Sequence, residues 1–368
     1  MIKLSQSDIT NKEKKLVRKV LDEKFLGMGE YVNQFEKDLK KFLTTENDVV
    51  AVNTGTSAIQ LVIEAVLRKD SKKEIIIPSI TYLSCFQACI NAGGRPISCD
   101  INPKSMIICS NDLEKKITSN TCAILLVHYG GTCPNRKEIV KISKKYNLHL
   151  IEDCAHSFGS KVDNEIVGSG RGIYCFSFDG IKNITCGEGG AIVTSEKNIS
   201  NFCKDARLLG VVKDTEKRYS RSRTWEPKDV IKGHRFHMQN LNAAIGIEQL
   251  KRIEEFKKKK LLIQGIYHKK LEPIKNVNWI HRLDKDILLH IFVVLVEKRD
   301  ELKKFLLSNS IETGIHYYPN HYIKRFKSRG IPSAEKKYTE LLSLPFHTNL
   351  KTSDIEYVCK KISEFYSR

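Results

Sequence analysis

The chain predicts an α/β fold, with a mainly parallel central sheet flanked by helices and a smaller C-terminal α+β lobe. Two observations carry this reading. From Val49 to about Leu209, short β-branched runs alternate with amphipathic helical stretches, with turn residues between the units. From Ala243 the text changes to one long helical pattern reaching about Leu271, followed by separate strands and helices. A chain of 368 residues is long enough to bury two cores. The boundary is placed near residue 250, giving a large domain over 1–250 and a small one over 251–368.

In chain order, Asn11–Lys24 and Tyr31–Phe42 read as amphipathic helices around the turn Gly27-Met-Gly-Glu30. Val49–Val52 is a short strand running into Gly55-Thr56-Ser57, with helical periodicity from Ala58. Free N–H groups and the positive end of the dipole make such a helix start a seat for phosphate. Many strand-to-helix turns carry Ser or Thr simply as caps, so this motif is unspecific alone. Glu74–Pro78 is the next strand and leads to Tyr82, an aromatic placed to stack on a ring or to fill the core. The apolar run Leu148-His-Leu-Ile ends abruptly in Glu152-Asp153. A buried parallel strand looks like this where its carboxyl end opens into a site. Later elements are a strand over Asp286–Val296, a helix over Arg299–Ser308, a strand near Gly314–Tyr318 and a final helix over Ser353–Tyr366. The polar segment Lys213–Lys228 reads as a mobile or intersubunit loop.

Residues 174–190 are the most informative stretch. Lys182 stands in a mostly apolar, small-residue run, after Ser177 and ahead of Gly187-Glu-Gly-Gly190. An amine among apolar neighbours gives up its proton more readily than one in water, and a neutral amine attacks carbonyls to form a Schiff base. With a phosphate seat and a carboxylate nearby, that chemistry points to pyridoxal phosphate, which needs a lysine and an acidic partner for its ring nitrogen. Asp153 is the preferred acid and Glu152 the runner-up. His156, three residues on, is placed to touch the ring or its oxygen; a packing histidine is the alternative.

These blocks in this order resemble the DegT/StrS-type sugar-nucleotide aminotransferases, which are fold-type I pyridoxal phosphate enzymes. The resemblance rests on Gly55-Thr-Ser-Ala58, Pro78–Tyr82, Glu152–His156, Phe176-Ser-Phe178 with Lys182, and Gly187–Gly190. It continues through Gly233–Gly246, Gly314–His321 and Leu342–His347, nearly the whole chain. It implies a homodimer with shared active sites that moves an amino group from L-glutamate to a keto-sugar on a nucleotide diphosphate, for amino-sugar and surface polysaccharide (O-antigen) biosynthesis. Lys182 is then the covalent lysine and proton carrier, and Asp153 the partner of the pyridine nitrogen. His156 contacts the ring oxygen, Tyr82 stacks on the ring, and Ser177 with the Thr56-Ser57 backbone holds the phosphate. Many relatives carry Gly-x-Asn-x-Arg, whose asparagine reaches the partner's phosphate, where this chain has Gly233-His-Arg-Phe-His237; Arg235 is then a cofactor or substrate ligand, either in the asparagine's place or on a loop that sits differently. Substrate contacts are expected from Met28 in the Gly27–Glu30 turn, from Trp225, and from His316, Tyr317 and His321.

The composition excludes other classes. No apolar run approaches the roughly 20 residues of a membrane helix. The first residues lead into charged helical text, unlike a signal peptide. Eleven irregularly spaced cysteines suggest reduced thiols in a cytoplasm and no metal site. The net charge of +19 is scattered along helices and lacks a nucleic-acid motif, while a positive field suits an anionic nucleotide-sugar. A sugar dehydratase on this fold usually replaces the lysine with histidine, and a non-enzymatic regulator would not need an intact pocket. Amination at C4 or at C3 of a 6-deoxy-hexose both remain open; the His237–Asn240 and Pro319–His321 stretches resemble those of relatives acting at C4, and that resemblance favours C4.

Overall fold

A computed structural model describes residues 1–68, 70–219, 229–281 and 283–367. It opens with helices α1 (Asn11–Asp22) and α2 (Glu30–Phe42), then strand β1 (Asp48–Val52) and helix α3 (Gly55–Leu67). Next come β2 (Glu74–Pro78), α4 (Ser84–Asn91), β3 (Arg95–Cys99), α5 (Ser110–Lys116), β4 (Thr121–Val127), α6 (Arg136–Lys145) and β5 (His149–Asp153). A small hairpin, β6 (Lys161–Val162) and β7 (Glu165–Ile166), precedes β8 (Ile173–Ser177) and β9 (Gly190–Thr194). Helices α7 (Lys197–Ala206) and α8 (Asp214–Tyr219) follow; the rest of the predicted loop, 220–228, lies outside the described residues.

The central sheet has seven strands in the order β1-β9-β8-β5-β4-β2-β3. All run the same way except β9, which is antiparallel to both β8 and β1. Each βα crossover reverses the chain through a helix, so successive strands re-enter in parallel. Strand β4 is buried along its whole length, as a parallel strand covered on both faces must be. Its alternate residues feed two cores. Leu125 and Val127 pack with α3 and α4, and Ile124 and Leu126 with α5 and α6. The carboxyl ends of β1, β2, β4, β5 and β8 therefore gather on one edge, which is where this architecture places ligands.

The remaining chain forms α9 (Asn240–Lys251), α10 (Ile253–Leu271), β10 (Val277–Trp279), β11 (Phe292–Val296), α11 (Arg299–Ser308), α12 (Pro332–Glu340), β12 (Leu341–Leu344) and α13 (Thr352–Tyr366). Strands β10, β11 and β12 make a second, antiparallel sheet, packed with α10, α11 and α13 around Tyr267, Phe292 and Val358. Several elements differ from the sequence reading. The long helix predicted over Ala243–Leu271 is two helices broken at Arg252, whose guanidinium binds Asp8 at 2.8 Å and Glu13 at 2.9 Å. No Gly or Pro marks that break, so periodicity alone runs through it. Only Phe292–Val296 of the predicted Asp286–Val296 strand pairs in a sheet. Ahead of it, Leu288 N–H donates to Ser160 Oγ and His290 N–H to the Gly130 carbonyl, so these groups are spent on the large sheet's loops. Gly314 makes one isolated bridge to Ser343 in place of the strand predicted there.

Candidate active site

The site is a cavity of about 320 Å³ at the carboxyl edge of the central sheet. One wall is the start of α3. Thr54 caps this helix by accepting from Ser57 N–H at 3.0 Å. The N–H groups of Gly55 and Thr56, in the first turn, have no helical carbonyl to bond and are left for an anion. Glycine at 55 is a packing requirement, since a Cβ there would lie 2.7 Å from Ser177 Cβ. A Cβ at Gly190 would meet the Thr54 carbonyl at 2.5 Å. These two glycines let β8 and β9 close on the helix start, so Ser177, Thr54, Gly55 and Thr56 line one corner of the cavity.

Asp153, the last residue of β5, stands elsewhere in the lining. Its Oδ1 accepts from Ala155 N–H at 3.0 Å, and Cys85 Sγ donates to Oδ2 at 3.2 Å. The carboxylate is thus buried but held. Its neighbour Glu152 takes the opposite side, as strand alternation dictates. It receives a two-pronged contact from Arg136, at 2.8 Å on each oxygen, and pairs with His128 at 2.9 Å. Burial pushes the Glu152 carboxyl up, but His128 and Arg136 outweigh it and hold the pKa below the usual range. Glu152, the runner-up acid, is therefore structural, and it lies outside the cavity lining.

His156 also lines the cavity. Gly130, which turns the chain after β4 at φ 68°, donates its N–H to His156 Nδ1 at 3.2 Å. That bond makes Nδ1 the acceptor and assigns the proton to Nε2, which lies 2.8 Å from Tyr317 Oη. The ring is kept neutral, since burial and then the charge of Lys182 press its pKa well below the ordinary value. Lys182 sits between β8 and β9 with its Nζ 3.4 Å from His290 Nε2. Burial lowers its pKa, against the opposing pull of Asp153 and Asp179. The amine is thereby brought toward the neutral, nucleophilic form.

The structure brings Thr56, Tyr82, Asp153, His156, Ser177, Lys182, His316 and Tyr317 into one lining. Tyr82 is 61% exposed, with its ring 5.7 Å from that of Tyr317. Other predicted residues lie elsewhere. Ser57 spends its N–H on the Thr54 cap, and its hydroxyl donates to Asn53 Oδ1 at 2.7 Å, so Thr54 takes its place in the lining. Met28 is 1% exposed in the core around Phe35 and Phe178, which removes it from substrate contact in this chain. His321 is 2% exposed and bound to Ser79 and Glu335, which makes it an internal strut. Arg235 is exposed on a segment bridged to Leu208, away from this chain's own cavity. Trp225 lies outside the described residues. Sequence reasoning missed His290, whose Nδ1 is buried without a partner among the described residues. Its place inside an apolar strand-like run carries no local signal.

Residues 7–363 match the DegT/DnrJ/EryC1/StrS aminotransferase family. The chain belongs to that family. It is 34% identical to GDP-perosamine synthase of Escherichia coli O157:H7, with 100% of this chain and 99% of that protein covered. It superimposes on the Helicobacter pylori aminotransferase PseC with a TM-score of 0.92 at 26% identity, covering 100% and 99% of the two chains. The fold is also that of the Streptococcus pneumoniae sugar aminotransferase Spr1654 in its PMP form, with a TM-score of 0.90 at 22% identity and coverage of 100% and 99%. Aminotransferases of this family depend on pyridoxal phosphate. The cavity of this member fits that group in its donor set. The α3 start and Ser177 offer anion donors, Asp153 offers an acid for the ring nitrogen, and Lys182 offers an amine. Glycine at 55 lets Ser177 approach the start of α3, so its hydroxyl stands beside the first-turn N–H groups.

Proposed function

We propose that this protein transfers an amino group from L-glutamate to a 4-keto-6-deoxy sugar carried on a nucleoside diphosphate. Pyridoxal phosphate, when bound, supplies an electron sink that acidifies the carbon bearing the nitrogen. The residues of the chain do the rest. Gly55, Thr56 and Ser177 would hold the phosphate, and Asp153 would keep a proton on the ring nitrogen. His156, as an Nε2–H tautomer, orients Tyr317 and presents a neutral ring to the group, while Tyr82 would cover one face.

Lys182 would tether the group and, once its amine is freed, would take the proton from one reacting carbon and return it to the other. A lysine works as such a base only when its pKa is brought toward working pH, which its burial does. His290 lies within reach of Nζ and offers a second nitrogen to steady it. His316 and Tyr317 are proposed substrate contacts. The open side of the cavity, with Tyr82 and Ile181 exposed, suits cover by a second copy of the chain, and Arg235 of that copy is proposed to meet a phosphate there.

A single observation carries this reading. Lys182, Asp153 and an anion-binding helix start share one cavity, in a chain 34% identical to a GDP-perosamine synthase along its whole length. The test is incubation of the purified protein with L-glutamate and a panel of 4-keto- and 3-keto-6-deoxy nucleotide-sugars, read by mass spectrometry. The amino-sugar mass is expected from a 4-keto member. Turnover of 3-keto members alone would move the amination to C3. Conversion of the cofactor by glutamate with no sugar consumed would overturn the acceptor and leave the donor.

A further inference from the structure

Behind the cavity stands a second buried lysine that the reaction described above does not use. Lys260, on α10, is buried and donates to Asn183 Oδ1 at 2.9 Å and to the Leu289 carbonyl at 3.1 Å. Its third neighbour is the Phe346 ring, with Nζ 5.3 Å from the centroid. Among the described residues no carboxylate is paired with it. Asp8, on the same narrow cleft, is taken by Arg252 and Lys259. The two carbonyl oxygens take both N–H bonds of a neutral amine, and the Phe346 ring face is the one further partner near Nζ among the described residues. An ion would leave a buried charge uncompensated. Consistent with this, burial and then the charge of Lys182 bring the Lys260 pKa down to about 7.

What Lys260 joins is more telling than its charge. Asn183 adjoins Lys182, and Leu289 adjoins His290, the residue within reach of Lys182 Nζ. The two segments come from different parts of the fold, the β8–β9 loop of the large sheet and the approach to β11 of the small one. Asn183 also donates through Nδ2 to Leu288 O at 2.9 Å and Phe158 O at 3.1 Å, so its amide is committed at both ends.

We infer that Lys260 is a positioning residue for Lys182: its nitrogen pins Asn183 and Leu289 together and so sets the lysine and His290 against each other. The inference rests on the reading of Lys182 as the cofactor's tether. A positioning role predicts loss of precision without loss of fold, since misplacement of a reacting group by about 1 Å costs on the order of a hundredfold in rate.

The test compares wild-type holoprotein with Lys260→Met, which keeps the length and removes the amine. Thermal melting, visible circular dichroism of the lysine-linked cofactor, and its rate of conversion by L-glutamate are measured together. Lys260→Met is expected to fold and to melt somewhat below wild type, because Asn183 Oδ1 and the Leu289 carbonyl lose a buried donor. Its visible dichroic band is expected to weaken, and conversion to slow about tenfold or more with the half-saturating glutamate concentration little changed. Should Lys260→Met fail to fold, Asn183→Ala with Lys260 intact carries the same expectation for the band. Folded, cofactor-loaded variants with the wild-type band and rate would overturn the inference. A wild-type protein with no visible band would instead overturn the tether itself, which keeps the two failures apart.

Discussion

At the scale of single residues, burial favours the neutral form of the histidines around the cavity. His316 lines the cavity, and its pKa is brought down to about 4 by burial and then by the nearby lysine charge. His156 and His290 are pressed lower than ordinary by the same causes. The ordinary value is 6.5, so below that pH the unfolded chain takes up protons that the folded chain refuses. Stability from His316 is complete above pH 6.5 and declines as pH falls toward about 4. Thermal melts at pH 7 and pH 5 are expected to show a drop for wild type and a smaller one for His316→Gln. Equal drops for the two proteins would contradict the assignment.

At the scale of elements, strand β5 separates two acids that the sequence presents side by side. Alternation sends Asp153 to the cavity and Glu152 to the network of Arg136 and His128. Glu152→Ala leaves a guanidinium and an imidazole without their buried counter-charge, at a cost of about 3 kcal/mol or more in stability. Asp153→Asn keeps the shape, so it is expected to melt near wild type while losing roughly a hundredfold or more in turnover. Denaturant melts and steady-state rates on the two variants check this, and a reversed pattern would exchange the roles.

The same strand shows how much of the site was legible in the sequence. Asp153 and Ser177 end strands β5 and β8, and His156 and Lys182 lie in the segments just after them, so their context is local. The shift from Ser57 to Thr54 came from the helix start. The cap precedes Gly55, and no pattern tells a capping hydroxyl from one that lines the cavity. His290 was invisible because its partner Lys182 is 108 positions away, and only the meeting of the two sheets brings them together. Met28 and His321 share that limit. Their burial is decided by tertiary packing, while their sequence neighbours are turn-like.

At the scale of the whole molecule, the alternating βα text specified the layered sheet and the position of its ligand edge. The second sheet was harder to read. Its strand β12 follows helix α12 without a turn signal, and the approach to β11 is spent on the large sheet's loops. The open side of the cavity bears on assembly. If Arg235 serves a neighbouring copy, mixing inactive Lys182→Ala and Arg235→Ala proteins is expected to restore part of the activity, up to about a quarter of the sites if subunits assort randomly. No restoration after verified subunit exchange would place Arg235 outside the shared site.

Borohydride reduction of the cofactor-loaded protein, followed by digestion and peptide mass mapping, reads the lysine tether directly. A pyridoxyl group is expected on the peptide containing Lys182 and none in Lys182→Ala. A label on another lysine, or an unlabelled Lys182 in protein that has bound the cofactor, would contradict the tether.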